Sequence, residues 1–461
     1  MSSPDQPVLT KGQTCIVLAV GLAFGLAVVF RWGHVNGFPQ ITNHEWVWRN
    51  LGNLNVARLL LLPGILIGWV LWRIEKGAGK SRPWGLLALL AISNFLLQTL
   101  GMLADFGGIE RVRNIVLSPL ATSYFQDALN IQNVREWLSH FHETALGLHS
   151  STHPPGPILL YYAFAKLFGP STGALLGGCA VGLLGSAGVL MLYKFAGLWT
   201  SDPKKRLIAC AFYALCPALI VFFPEFDQAY PILSMFMMFC WVKALAIGES
   251  PTAALALGAA TFVATFFAYN LLAVGGFFFY YGLWWLWRQA WTTEARTTLI
   301  RSAGIAIGTC CGLYLILSIA TGYNPPAAFL RGLTNQASLE SQLPRPYAIY
   351  ALFDLYDFSL GAGMMVLPLL WFYLRSLLGQ FKTGRVDIAL TLAGLLTILT
   401  VDLSGLLRGE TARVWLFLQP LVAIPAALAL STIPWPWRFS IIAVQWWILV
   451  CMKTKMYFVS P

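Results

Sequence analysis

The sequence predicts an all-α fold, a polytopic transmembrane helical bundle of about 13 spans with additional interfacial helices. Hydrophobic residues make up 57% of the 461 residues and charged residues only 11%, whereas a soluble domain carries roughly a quarter charged residues. Apolar runs near the length that a helix needs to cross a bilayer recur along the chain. The alternating pattern that is typical of membrane β-barrels is absent.

The predicted spans are distributed along the whole chain. The apolar stretch 158–168 is too short to be one of them, because a helix of about eleven residues is only about 16 Å long and the hydrocarbon layer is about 30 Å thick. We therefore predict a partial or interfacial helix there. The spans are 15–31, 57–73, 84–104, 171–193, 206–223, 229–247, 252–268, 270–287, 300–320, 359–374, 386–403, 414–431 and 436–452.

The spans divide the chain into five regions. Basic residues between spans, such as Lys204, Lys205 and Arg206, indicate the cytoplasmic side, since positively charged loops stay inside. This assignment accounts for the net charge of +11 without a nucleic-acid partner, and it predicts a multi-pass inner-membrane protein whose active face is extracytoplasmic. The regions are N-terminal transmembrane helices (1–104), an outer loop with interfacial helices (105–157), a transmembrane core (158–320), a second outer loop (321–358) and C-terminal transmembrane helices (359–461).

The first outer loop contains an amphipathic stretch and a histidine cluster. Apolar residues recur at helical spacing over 124–141, which predicts a helix on the membrane surface. His149 and His153 then lead into His-Pro-Pro-Gly-Pro, and prolines favour a rigid helix start. A divalent metal held by Glu143 and the four histidines of this segment, His140, His142, His149 and His153, is disfavoured, because their spacing matches no standard ligand pattern. The sequence therefore identifies no cofactor, and a divalent metal is the disfavoured alternative.

Two other segments place charged residues next to spans. Glu225 and Asp227 lie in a short turn between two predicted spans. A carboxylate at the membrane boundary is costly unless it is paired or functional, which favours a role in the site. The alternative is that the turn simply requires polar residues. Arg408, Glu410 and Arg413 precede a later span on the predicted outer side, against the usual charge preference. Planar guanidinium groups suit a phosphate, whereas the alternative is a set of anchoring residues with an internal Arg–Glu pair.

Several motifs together resemble the GT-C superfamily, in its branch of protein O-mannosyltransferases and lipid A aminoarabinose transferases. The resemblance covers roughly residues 105–235 and includes a basic loop and the acidic turn at Asp227. The motifs are Tyr124-Phe125-Gln126-Asp127-Ala128, His153-Pro154-Pro155 and Leu167-Phe168-Gly169-Pro170-Ser171.

The resemblance implies an integral-membrane glycosyltransferase that moves a sugar from a polyprenyl-phosphate-type lipid donor to an extracytoplasmic glycan, lipid or protein acceptor. It also implies a carboxylate base in the first outer loop. The family's usual acidic position is Leu120 here, so Asp127 is the expected base, with Asp227 and Glu143 as the next candidates. The residues expected to bind substrate are Tyr124, His149, His153, Arg345, Arg408, Glu410 and Arg413, with Arg408 and Arg413 on the donor phosphate.

Two other functions remain open from the sequence. A transporter or flippase for a lipid-linked saccharide would also bind such a lipid, but no inverted repeat or charged mid-membrane helix is visible. A non-catalytic subunit of an envelope-assembly complex would leave the outer arginines and carboxylates without a use.

Overall fold

A computed structural model describes residues 9–29, 47–48, 58–77, 83–105, 107–246, 251–342, 345–378, 380, 384–457 and 459. Within these ranges the chain is almost entirely helical, which confirms the predicted all-α class. Three pieces of the predicted spans lie outside the described residues: 30–31 of the first span, 57 of the second and 247 of the span 229–247.

The α-helices are numbered here in chain order. Short 3-10 helices lie at Arg58–Leu60, Ser150–Thr152, Phe226–Ala229, Tyr269–Val274 and Leu416–Leu418, and two-residue strands β1 (Val47–Trp48) and β2 (Met456–Tyr457) pair in antiparallel orientation. The α-helices are α1 Lys11–Val29, α2 Leu61–Glu75, α3 Pro83–Leu103, α4 Glu110–Leu117, α5 Tyr124–Leu129, α6 Val134–Ser139, α7 Gly156–Phe168, α8 Pro170–Ala196, α9 Pro203–Tyr213, α10 Ala218–Val221, α11 Tyr230–Ala244, α12 Thr252–Phe267, α13 Gly275–Arg288, α14 Thr293–Thr321, α15 Pro325–Gln342, α16 Tyr347–Ala362, α17 Val366–Leu377, α18 Val386–Ser404, α19 Thr411–Val414, α20 Pro420–Thr432 and α21 Trp435–Lys455.

Every predicted span overlaps at least one of these helices. Among the described residues, α3, α8, α14 and α18 are each long and apolar enough to cross a membrane alone, and α16 and α17 qualify only as a pair bent by 100°. These helices support a multi-pass membrane protein. The count of about 13 crossings stays a prediction.

The centre of the bundle is built around α8 and α20. Residues 420–430 of α20 are all buried, and α20 packs against α9 and α17. On α8, Gly178 lies against Val112 and Gly182 lies against Phe223, since small residues let membrane helices approach closely. At the periphery, only 6% of the apolar 18-residue stretch of α14 is buried within the protein, as expected for a helix in contact with lipid.

The first outer loop folds differently from the sequence prediction. The stretch 124–141 forms two short helices, α5 and α6, and the predicted single surface helix is wrong. Asn133 starts the second helix, because its side chain accepts the backbone N–H groups of Arg135 at 2.9 Å and of Glu136 at 3.3 Å, as an N-cap residue does. Phe125 and Phe141 are fully buried within the protein, so much of the apolar face packs on protein.

The short helix α7 forms a hairpin with α8. Gly169 adopts a φ of +77° between the two helices, a conformation that favours glycine. Gly173 and Gly177 of α8 then lie against Phe164 and Tyr161 of α7. At 13 residues, α7 is about 20 Å long and falls short of the hydrocarbon thickness. This length agrees with the predicted partial helix.

The close approach of α7 and α8 yields a prediction. A Cβ added at Gly173 would lie 2.5 Å from the carbonyl oxygen of Phe164, so we expect Gly173→Ala to destabilise the protein by about 1–3 kcal/mol through overpacking. The control is Gly304→Ala on α14, where an added Cβ meets nothing within 4 Å and helix propensity favours Ala by about 1 kcal/mol. Thermal unfolding in detergent would measure the stability of both variants. Equal changes in stability for Gly173→Ala and Gly304→Ala would contradict the close packing of α7 on α8.

Candidate active site

Arg413 lies at the centre of a buried charge cluster. Its Nη1 is 3.0 Å from Oδ2 of Asp227 and 3.6 Å from Oε2 of Glu225, and its Nη2 is 2.5 Å from Oε2 of Glu410. The Arg413 side chain is only 16% exposed. A buried guanidinium requires such partners, because an unpaired buried charge is strongly destabilising. The cluster thus joins α19 to the turn that precedes α11.

The aromatic ring of Phe226 holds the acidic turn in place. Phe226 lies between Glu225 and Asp227 and is 4% exposed. Its ring centroid lies 5.8–6.1 Å from four other aromatic rings, at separations that are favourable for such pairs. Because this residue is fixed inside the bundle, both neighbouring carboxyl groups are held at Arg413. The four rings belong to Tyr124, Tyr161, Tyr230 and Phe267.

The three carboxyl groups have different proton affinities. Burial raises the pKa of Glu225 to about 8, against the opposing effect of Arg413, and burial also raises the pKa of Asp227. Arg413 lowers the pKa of Glu410. At neutral pH, Glu225 therefore carries a proton in most molecules and Glu410 is ionised. Neighbouring carboxyl groups with separated pKa values are suited to acid and base roles.

Two more arginines extend the cluster. Arg345 Nη2 lies 4.0 Å from Oε1 of Glu410, and Arg408 Nη2 lies 3.8 Å from Oε2 of Glu340. The two arginines also bind each other's backbone: Arg408 Nη1 donates to the Arg345 carbonyl at 2.8 Å, and Arg345 Nη1 donates to the Arg408 carbonyl. The result is a continuous alternation of cations and carboxylates from α15 to the acidic turn.

The histidines of the proline motif lie beside this cluster. His149 Nε2 lies 3.1 Å from the Leu120 carbonyl, and burial together with Arg413 lowers the pKa of His149. His153 Nδ1 lies 2.9 Å from the His149 carbonyl, and its ring meets the edge of Tyr124 at 5.5 Å. Burial lowers the pKa of His153 to about 4. Both rings are therefore neutral at pH 7, and each has one nitrogen close to a backbone carbonyl.

Asp127 and Glu143 occupy different environments. Asp127 is 8% exposed, and its Oδ2 accepts the backbone N–H of Gly147 at 3.0 Å, which fixes the loop leading to His149. Glu143 is 66% exposed and has His142 Nε2 at 3.6 Å. The structure thus brings Asp227 into the cluster, places Asp127 in the adjoining loop and leaves Glu143 at the surface. Among the described residues, no three His, Cys, Asp or Glu side chains are grouped to hold a metal.

Two aspartates that contact the turn 408–413 were not predicted as site residues from the sequence. Asp354 and Asp357 of α16 accept the backbone N–H groups of Gly409 at 2.9 Å and of Ala412 at 2.8 Å. Both carboxyl groups are fully buried. Their signal in the sequence is the pair of acids inside the apolar run Leu-Phe-Asp-Leu-Tyr-Asp-Phe, where an unpaired charge would be expensive.

The raised pKa of Glu225 predicts a pH dependence of stability. The native state holds this proton more tightly than the unfolded chain does, so its stabilising contribution is complete below about pH 4.5 and is lost as the pH rises through about 8. We expect Glu225→Gln to flatten this decline and to raise the melting temperature at pH 8 relative to wild type. Glu136→Gln, at an exposed position, is the control. A wild-type slope in the Glu225 variant would contradict the assignment.

The architecture resembles two solved structures of ArnT from Cupriavidus metallidurans. The structure bound to undecaprenyl phosphate has a TM-score of 0.50 and 16% sequence identity, and the alignment covers 75% of this chain and 60% of that one. The apo structure has a TM-score of 0.46 and 15% identity, with 76% and 60% covered. This chain thus spans about 60% of the length of ArnT.

Sequence comparison adds nothing to this likeness, because no protein-family model and no curated protein matches the chain. The likeness therefore concerns the fold. This chain shares its overall fold with ArnT, and the resemblance predicted from the sequence is confirmed at the level of the fold.

Proposed function

We propose that the protein is a membrane glycosyltransferase that moves a sugar from a polyprenyl-phosphate-linked donor to a hydroxyl group of a glycan, lipid or protein, at the extracytoplasmic face of the cell membrane. The observation that carries this proposal is that Arg345, Arg408, Arg413 and Asp227 belong to one partly buried charge network. A fold neighbour that was solved with undecaprenyl phosphate bound supports the choice of donor.

Arg345 and Arg408 are the proposed ligands of the donor phosphate. Arg345 donates one N–H group to a backbone carbonyl, and Arg408 donates two, to the carbonyls of Gly405 and Arg345. The separations from Glu410 and Glu340 are 4.0 and 3.8 Å, longer than a direct hydrogen bond. A phosphate can therefore replace these weak contacts. Negative charge develops on the phosphate as it leaves the sugar, and fixed guanidinium groups stabilise that charge. Arg413, which three carboxyl groups surround, would mainly organise the site.

Asp227 is the proposed general base. In the reaction, the acceptor oxygen bonds to the anomeric carbon, the bond from that carbon to the phosphate oxygen breaks, and the acceptor proton passes to a carboxylate. Asp227 is linked to Arg345 through Arg413 and Glu410, whereas Asp127 accepts the Gly147 N–H in the adjoining loop. Tyr124, His149 and His153 would supply neutral hydrogen-bonding groups for the sugar.

The role of Arg408 predicts a loss of sugar transfer. We expect Arg408→Ala to lower transfer from a polyprenyl-phosphate sugar by about 100-fold or more, because one fixed donor to the leaving group is lost. Release of the lipid phosphate, measured in proteoliposomes, is the readout, since a flippase would move the donor without releasing it. The control is Arg301→Ala, at an exposed position of α14. Unchanged release by Arg408→Ala would remove this role.

The role of Asp227 predicts a different pattern. Asp227→Asn keeps the shape of the turn but cannot take the acceptor proton, so we expect turnover to fall by about 100-fold or more while binding of undecaprenyl phosphate persists. Asp127→Asn retains an acceptor oxygen for Gly147 and should keep most of the activity. The reverse ranking of the two variants would make Asp127 the base.

A further inference from the structure

The turn that carries Arg408 and Arg413 contains two consecutive residues with positive φ. Gly409 adopts a φ of +80° and Glu410 a φ of +53°, and the second value lies in a region that a glutamate rarely adopts. Such a conformation persists only where surrounding contacts fix it. The turn therefore needs an external scaffold if its charged side chains are to keep their positions.

The buried face of α16 supplies that scaffold. Asp354 Oδ1 accepts the Gly409 N–H at 2.9 Å, and Asp357 Oδ2 accepts the Ala412 N–H at 2.8 Å. The two aspartates are three residues apart on α16 and therefore lie on one face of the helix. The backbone N–H groups that they accept, those of Gly409 and Ala412, are also three residues apart. Thr411 adds its hydroxyl group, which donates to the Asp354 carbonyl at 2.6 Å and lies 3.3 Å from Asp357 Oδ2.

These contacts enclose the residue that links the arginines. Glu410 lies between the two backbone N–H groups that α16 holds, and its carboxylate connects Arg345 to Arg413. On the other side of the turn, Gly409 lies against the Arg345 guanidinium, where an added Cβ would be 2.5 Å from Cζ. Hydrogen bonds to a carboxylate are stronger than neutral ones, which explains ionisable side chains in these two positions.

We propose that Asp354 and Asp357 are positioning residues for the donor site: they hold the backbone of 409–412 so that Arg345, Arg408 and Arg413 present a preformed phosphate site. This inference rests on the proposed function for the identity of the ligand. The geometry of the turn is independent of that identity, and the two parts can be tested separately.

The experiment combines amide exchange with ligand binding in the full-length protein. In Asp354→Ala and Asp357→Ala, we expect the amides of Gly409 and Ala412 to exchange at least about tenfold faster and the affinity for undecaprenyl phosphate to fall by about tenfold or more, since an unanchored turn must be ordered on binding. The Asn variants keep an acceptor oxygen and should restore most of both properties. Turnover should fall through KM more than through kcat.

Two further variants serve as controls. Asp387→Ala removes a buried aspartate that pairs with Arg385 at 2.6 Å. Asp387 lies at the start of α18, whereas the turn follows the end of that helix, so exchange and binding should stay at wild-type levels. Thr411→Val is nearly isosteric and should reproduce a smaller part of the effect where the alanine variants fold poorly.

The outcomes separate the two proposals. Wild-type exchange at Gly409 and Ala412 in the alanine variants, or faster exchange with unchanged affinity for undecaprenyl phosphate, would overturn the positioning role. Wild-type protein that fails to bind undecaprenyl phosphate would instead overturn the proposed function and the ligand named here, while the exchange data still decide whether the aspartates hold the turn.

Discussion

The burial of one guanidinium, that of Arg413, is the constraint on which this end of the bundle depends. Three carboxyl groups surround it, and they come from a turn before α11 and from the residue before α19. Asp227 in that turn is 186 positions from Arg413 in the chain. Breaking such a group by removing one partner is far more destabilising than the group's net contribution. Segments that are distant in sequence must therefore assemble together, and the aromatic packing of Phe226 and the α16 aspartates serve the same assembly.

Much of the fold was predictable because a membrane helix requires a long apolar segment, which is visible in the sequence. Each predicted span overlaps a helix, since apolar length is a strong local signal. Breaks within apolar segments were less accessible. The 100° bend between α16 and α17 lies at Gly363, which adopts a φ of +113°, and Gly361 packs against Ala412 of the turn. A glycine can end a helix, but the size of the bend depends on this distant contact. The break at Asn133 was readable as a capping signal, but periodicity concealed it.

The site was predictable in its residues rather than in its pairing. A charged residue next to an apolar segment is conspicuous in a sequence, and for this reason Asp227, Glu410 and Arg413 were predicted as site residues. The partner of each one depends on how distant helices pack, and a single sequence holds no record of that. The resemblance favoured Asp127 because it lies in the first outer loop. Its hydrogen bond to Gly147 arises from a loop closure that local patterns do not encode.

The left-handed backbone of Glu410 has a consequence for engineering this protein. Glycine or asparagine would adopt that conformation more easily, so backbone geometry alone would favour either residue at this position. Such a replacement would relax the turn and at the same time remove the carboxylate that links Arg345 to Arg413. The position thus opposes two physical demands, an unstrained backbone and a counter-charge for Arg413, and the glutamate satisfies the second.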